Sequence, residues 1–237
     1  MQVISMVGYT EKYDFVINLA KTINLAGKSV LVIDGTYDKK LKFIIPTLNI
    51  DEKSYITQYD GIDFALGFES MHDLENYTGE QNINLSLYDF IIIDMDNPRA
   101  YEFFRTRGID RTYFFMETSV LALNKNYEIL KAMKVYNNSG ERLKLNKIIY
   151  KSYLTRASEQ FFNNKIASID VEWLQPEYEI PNEDQDKMAN VDAQISGLIE
   201  IKKHTRGFIQ TIADLSAEII GEETSSREIM KQIKRRR

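Results

Sequence analysis

Short apolar runs alternate along the chain with longer stretches in which apolar residues recur every three or four positions. The runs fall at residues 2–7, 29–34, 88–96, 111–118 and 144–153, and they are rich in Val, Ile, Phe and Tyr. Near-continuous apolarity of this kind predicts strands covered on both faces, as in parallel sheets. Between them, residues 12–26 place Phe15, Leu19, Ile23 and Ala26 on one face and stop at Gly27, which predicts a helix with a glycine cap. The segment after Ser119 predicts a second helix, closed by the polar turn NNSGERLK. Further on, residues 178–192 read as an acidic loop, and residues 196–221 read as a long terminal amphipathic helix. Strands and helices in this order predict a doubly wound α/β sheet with right-handed crossovers.

Composition narrows the picture. A chain of 237 residues, 43% hydrophobic and 27% charged, suits one α/β domain (residues 1–223) followed by a short tail (224–237). There is no cysteine, which excludes disulfides, thiolate metal sites and cysteine-held clusters. The two histidines, His72 and His204, do not make a zinc site. No apolar run approaches the ~20 residues needed to cross a bilayer, so the expectation is a cytoplasmic protein, with peripheral attachment at the inner face of the membrane as an extension.

Charge singles out the C-terminus. The formal net charge is -5, yet residues 227–237 hold six cations against Glu228, a net of +5, so residues 1–226 carry -10. The tail has three readings: a solvated end; an amphipathic segment that lays Ile229, Met230 and Ile233 on an anionic membrane beside Lys234, Arg235, Arg236 and Arg237; or a nucleic-acid contact, ranked behind the other two.

In such sheets ligands bind at the carboxyl ends of the strands, where the first loop meets a helix. Here that loop is GYTEK, Gly8 to Lys12. A phosphate cradle needs glycines to turn backbone N–H groups inward, a lysine, and a small hydroxyl for magnesium. The stretch GYTEKYDFVINLAKTINLAGKSVLVIDGT resembles the opening of the MinD/ParA family of P-loop ATPases, whose signature is K-G-G-x-G-K-[ST]-[ST] before a helix ending in N-L-A. Aligned on Asn18, Leu19 and Ala20, the resemblance puts Lys12 on the family's phosphate-binding lysine and Gly8 on its first loop glycine. Val7 stands at the signature lysine, Tyr9 and Glu11 at glycines, and Tyr13 and Asp14 at the hydroxyl pair.

The resemblance continues along the chain. It places Asp34 on the first aspartate of the switch strand, with Thr36 at the second, and Asp94, in YDFIIIDMDNP, on the magnesium-supporting carboxylate. YEIPNE resembles the loop near adenine, and Lys151 or Ser152 stands where the family reads adenine with asparagine. It implies a three-layer α/β sandwich of P-loop NTPase type. It also implies ATP and magnesium as cofactors, with Gly8, Thr10, Glu11, Lys12, Tyr13, Asp34 and Asp94 around the nucleotide.

Each residue also has a plainer reading, Lys12 as a solvated lysine of a first helical turn, Asp34 and Asp94 as strand-end residues that cap loops. One charge-assisted hydrogen bond from Lys12 contributes ~1.5–3 kcal/mol, whereas micromolar ATP binding needs ~8 kcal/mol. The expectation is therefore a degenerate member, of the kind found among TadZ/CpaE-like factors, that positions or scaffolds a cellular machine through protein partners without hydrolysis. The expected assembly is a homodimer held by protein contacts including Tyr9 and Tyr13. The alternative is an active partition or localisation ATPase with a variant loop.

Overall fold

The computed structural model describes residues 1–46, 52–137, 142–150, 155–180, 183–221 and 224–235. In chain order the elements are β1 (Gln2–Val7), α1 (Tyr13–Leu25), β2 (Val30–Asp34), α2 (Leu41–Ile44), β3 (Tyr55–Tyr59), β4 (Ile62–Leu66), α3 (Met71–Glu80), β5 (Phe90–Met95), α4 (Pro98–Phe104), β6 (Arg111–Met116), α5 (Val120–Tyr136), β7 (Leu143–Tyr150), α6 (Arg156–Ile166), β8 (Val171–Ile180), α7 (Asp184–Ser196), α8 (Arg206–Ile220) and α9 (Ser226–Arg235).

Alternation within the central strands explains their continuous apolarity. In β1, Ile4 and Met6 enter one core and Val3 and Val7 the other, because successive side chains leave a strand on opposite faces. Helices α1, α8 and α9 cover the first face; α3, α4, α5 and α6 cover the second. The result is the expected three-layer sandwich around one eight-stranded sheet ordered β3-β4-β2-β5-β1-β6-β7-β8. All neighbours run parallel except β3, which is antiparallel to β4.

The β3–β4 hairpin was legible but not anticipated from the apolar runs. Its turn is Asp60-Gly61, with φ of 46° and 83°, and Asp-Gly between short strands is a strong hairpin signal. β8 escaped for the opposite reason: it is an edge strand, with Pro176 and exposed polar residues. Pro176 falls where the register against β7 is irregular, a place where a strand needs no donor.

Two segments correct the sequence reading. The acidic stretch 178–192 is not a loop: it closes β8 and then forms α7, whose first turn holds Asp184 and Asp186, where carboxylates complement a helix dipole. Residues 196–221 do not form one helix. Gly197, left-handed at φ 72°, ends α7, and α8 begins only after Thr205, whose side chain accepts from the Phe208 N–H.

The tail is corrected as well. Residues 226–235 form α9, packed on α1 and α8. Ile229 and Ile233, which one of the three readings laid on an anionic membrane, are buried in the core and Met230 is half-buried against it. The amphipathic spacing was real, but its apolar face covers this protein's own helices. Lys234 and Arg235 are exposed, and Arg236 and Arg237 lie outside the described residues. No described helix is long and apolar enough to cross a membrane.

Candidate functional site

Four strands end at one cavity. The loop after β1 contributes Thr10, Glu11 and Lys12, β2 contributes Asp34, β5 contributes Asp94, and β6 leads into Glu117; Tyr13 at the start of α1 closes one wall. Six of the seven residues grouped by the sequence, Thr10, Glu11, Lys12, Tyr13, Asp34 and Asp94, thus lie around one cavity. Gly8 lies at the base of the same loop with φ +147°, and a Cβ there would sit 2.4 Å from the Phe115 carbonyl oxygen. Glycine is required here for close backbone approach.

Lys12 borders the cavity but is not solvated. It is buried, and its Nζ lies 2.6 Å from Asp94 Oδ1 while donating to the carbonyls of Gly8 at 2.9 Å and Met95 at 3.1 Å. An ammonium has three protons; two bond these carbonyls, and the charge pairs with Asp94. Asp94 is therefore an ion-pair partner inside the protein. Burial pushes its carboxyl up to about 6, against the opposing pull of Lys12.

Asp34 is equally committed. Its side chain accepts from the Thr36 N–H at 3.1 Å, the Thr36 hydroxyl at 2.5 Å and the Leu41 N–H at 3.0 Å. It shapes the turn after β2 and anchors α2, in line with its plainer reading. Burial raises its pKa despite these bonds.

The remaining loop residues also have partners. Thr10 donates to Glu117 at 2.7 Å, and the exposed Glu11 pairs with Lys40 at 2.5 Å. The Tyr9 N–H donates to Asn126, whose amide donates in turn to the Phe115 carbonyl. Asn126, buried on α5, is a residue that sequence reasoning missed; an Asn within an apolar helical face was its signal. The Tyr9 ring is partly exposed, with Lys125 Nζ 6.0 Å from its centroid. Tyr13 is half-buried, and its pKa is raised chiefly by that burial. Lys151, Ser152, Pro181 and Asn182 lie outside the described residues.

Magnesium-bound ATP fits this donor set poorly. Six carboxylates and two lysines line the cavity, a formal excess of four negative charges facing a polyanion, and Tyr13 offers a bulky phenol where a short hydroxyl is needed. The cavity holds about 230 Å³, below the roughly 300–1,000 Å³ of ordinary ligand sites. Helix α1 begins without a side-chain cap, as do α2 and α7.

No protein-family model and no curated protein matches the sequence. Solved structures do. A MinC:MinD cell division protein complex from Aquifex aeolicus superposes with a TM-score of 0.62 at 15% identity, over 94% of this chain and 97% of that one. A ParA family ATPase from Chlorobium tepidum gives 0.58 at 15% identity, over 91% and 97%. Apo McdA from Cyanthece gives 0.57 at 13% identity, over 93% and 100%. Strand order, site position and these superpositions agree on the architecture: the chain has the fold of the MinD/ParA P-loop ATPases.

Proposed function

We propose that this chain is a MinD/ParA-fold protein of spatial positioning or partition that works through protein contacts and does not hydrolyse ATP. The observation that carries the reading is Lys12, whose ammonium is ion-paired with Asp94 and donates to the Gly8 and Met95 carbonyls inside the protein. Freeing it for a phosphate would leave Asp94 buried without its cation, a cost of several kcal/mol. Structures of similar fold include MinD with MinC and a ParA bound to nonspecific DNA, which supports a role in localisation or partition. For this chain protein partners suit better than DNA, because residues 1–226 carry -10.

In this reading no nucleotide clamps a dimer. Val7 replaces the lysine that the family resemblance would send across to a partner's phosphate, so a homodimer rests on loop side chains such as Tyr9 and Tyr13. Titration calorimetry with ATP and magnesium, together with a phosphate-release assay, tests the proposal. Absence of saturable heat and background turnover support it; turnover abolished by Lys12→Ala refutes it and establishes the variant-loop ATPase instead.

A further inference from the structure

The sheet opens between β6 and β7 at its amino end. Although β6 begins at Arg111 and β7 at Leu143, the two strands pair only from Tyr113 and Asn146 onward. Below that point β6 is held by β1 and β7 by β8, so the backbone groups that β6 and β7 turn toward each other there have no partner in the sheet. Such groups require one, from protein, water or ligand. The fork forms one side of a cavity of about 540 Å³, within the roughly 300–1,000 Å³ of ordinary ligand sites. It lies at the opposite end of the sheet from the nucleotide cavity.

Donors without acceptors collect around this cavity. Arg105, just past α4, lines it with a buried Nε that has no hydrogen-bond partner among the described residues, while its guanidinium lies 5.7 Å from the Tyr136 ring centroid. The nearby Glu102 accepts from the Tyr136 hydroxyl at 2.9 Å. Asn146, only 2% exposed, and the exposed Lys144 also line the cavity, and neither side chain has a hydrogen bond or ion pair among the described residues. Asn137 Oδ1 accepts from the Tyr101 hydroxyl at 2.9 Å, which leaves its amide N–H groups to donate. Buried polar groups are normally satisfied, so a buried donor left over calls for an acceptor.

The charge balance has the matching sign. Arg111 and Arg142 line the same cavity, each with one carboxylate partner, Glu218 at 3.2 Å and Asp170 at 3.0 Å. The lining carboxylate, Asp110, accepts from the Val3 N–H at 2.7 Å. With those partners counted, four cations face three carboxylates, whereas two lysines face six carboxylates around the nucleotide cavity. Arg105 and Lys144 are the two cations left uncompensated.

We propose that the fork is a binding site for a small organic phosphate, its phosphate held by Arg105 and Lys144 and its apolar body against Tyr101, Met133 and Leu174. Phosphate suits the donors better than carboxylate does, because they come from the ends of α4 and α5 and from β7, and a phosphate monoester offers three acceptor oxygens and up to two charges. A guanidinium also meets phosphate through two parallel bonds. Residues 138–141 lie outside the described residues and are no part of the site. The inference is independent of the reading of the nucleotide cavity.

The test is titration calorimetry of the full chain with phenyl phosphate, and with inorganic phosphate as the control. Saturable binding of phenyl phosphate is expected in the micromolar-to-millimolar range, about fivefold or more tighter than inorganic phosphate, and weakened roughly tenfold by Arg105→Met and several-fold by Lys144→Gln. Arg105→Met keeps the length of the side chain and removes the unpartnered Nε, so the melting temperature without ligand should not fall. Should that variant fold poorly, Lys144→Gln still decides the matter, because Lys144 is exposed. Absence of saturable heat overturns the proposal and leaves the fork to water. Binding indifferent to Lys144→Gln and to Arg105→Met overturns it by placing the ligand elsewhere, and equal affinity for inorganic and phenyl phosphate overturns it because the apolar wall then takes no part.

Discussion

Replacing Lys12 by alanine separates a structural lysine from a phosphate-binding one. In this structure the substitution strands Asp94 in the core near Asp34 and Asp96, and it removes the donor to two buried carbonyls. Removing one member of a buried ion pair costs about 3–5 kcal/mol. For a domain of this size each kcal/mol lowers the melting temperature by about 2–4 °C, so Lys12→Ala should melt roughly 6–20 °C below the parent. Replacing both members by apolar residues, Lys12→Met with Asp94→Leu, should recover much of the loss, since well-packed apolar pairs often equal buried ion pairs.

The pH dependence carries a second signature. In the parent the Asp94 carboxyl, at about 6, holds a proton where the unfolded chain, near ~3.9, has released it. The folded state binds more protons in that window, so stability from this group is fullest below pH ~4, falls as pH rises to about 6, and is flat above. At about 1.36 kcal/mol for each pH unit, the fall is about 3 kcal/mol. Without Lys12 the carboxyl loses its cation and titrates higher, so the variant should keep losing stability above pH 6, where the parent's contribution is level. Urea melts at several pH values measure both curves. An unchanged midpoint in Lys12→Ala, or a constant difference from pH 5 to 8, would show that the lysine does not hold Asp94.

Other substitutions probe the neighbouring contacts. Gly8→Ala should destabilise by about 1–3 kcal/mol in urea melts, because its Cβ meets the Phe115 carbonyl at 2.4 Å; a neutral result would show that the loop reshapes freely. Ile229→Ala should cost about 2–5 kcal/mol, as expected for a fully buried side chain, and a loss under about 0.5 kcal/mol would mean α9 is not docked in solution. Sedimentation equilibrium should find any dimer indifferent to ATP and magnesium and weakened by Tyr9→Ala or Tyr13→Ala; dimerisation only on adding ATP contradicts the proposed function.

The sequence by itself determined the architecture, because β1, β2, β5 and β6 are buried on both faces and therefore read as unbroken apolar runs that little but a covered parallel sheet accommodates. It also located the cavity, since a loop between β1 and α1 must lie at the carboxyl end of the sheet. Weak local signals hid the edges: β8 is polar and contains Pro176, and α9 shows amphipathic spacing without saying which surface its apolar face will cover. Tertiary structure alone decided the meaning of the charged residues. Lys12 and Asp94 are 82 positions apart, and only folding places them 2.6 Å from each other, so that a lysine readable as solvated or as phosphate-binding becomes half of an internal ion pair. The same holds for α7, whose orientation depends on polar bonds to Asp14, Asn18 and Thr205 in distant segments. Periodicity fixes which residues share a face, whereas the contacts available elsewhere in the chain decide which face turns inward.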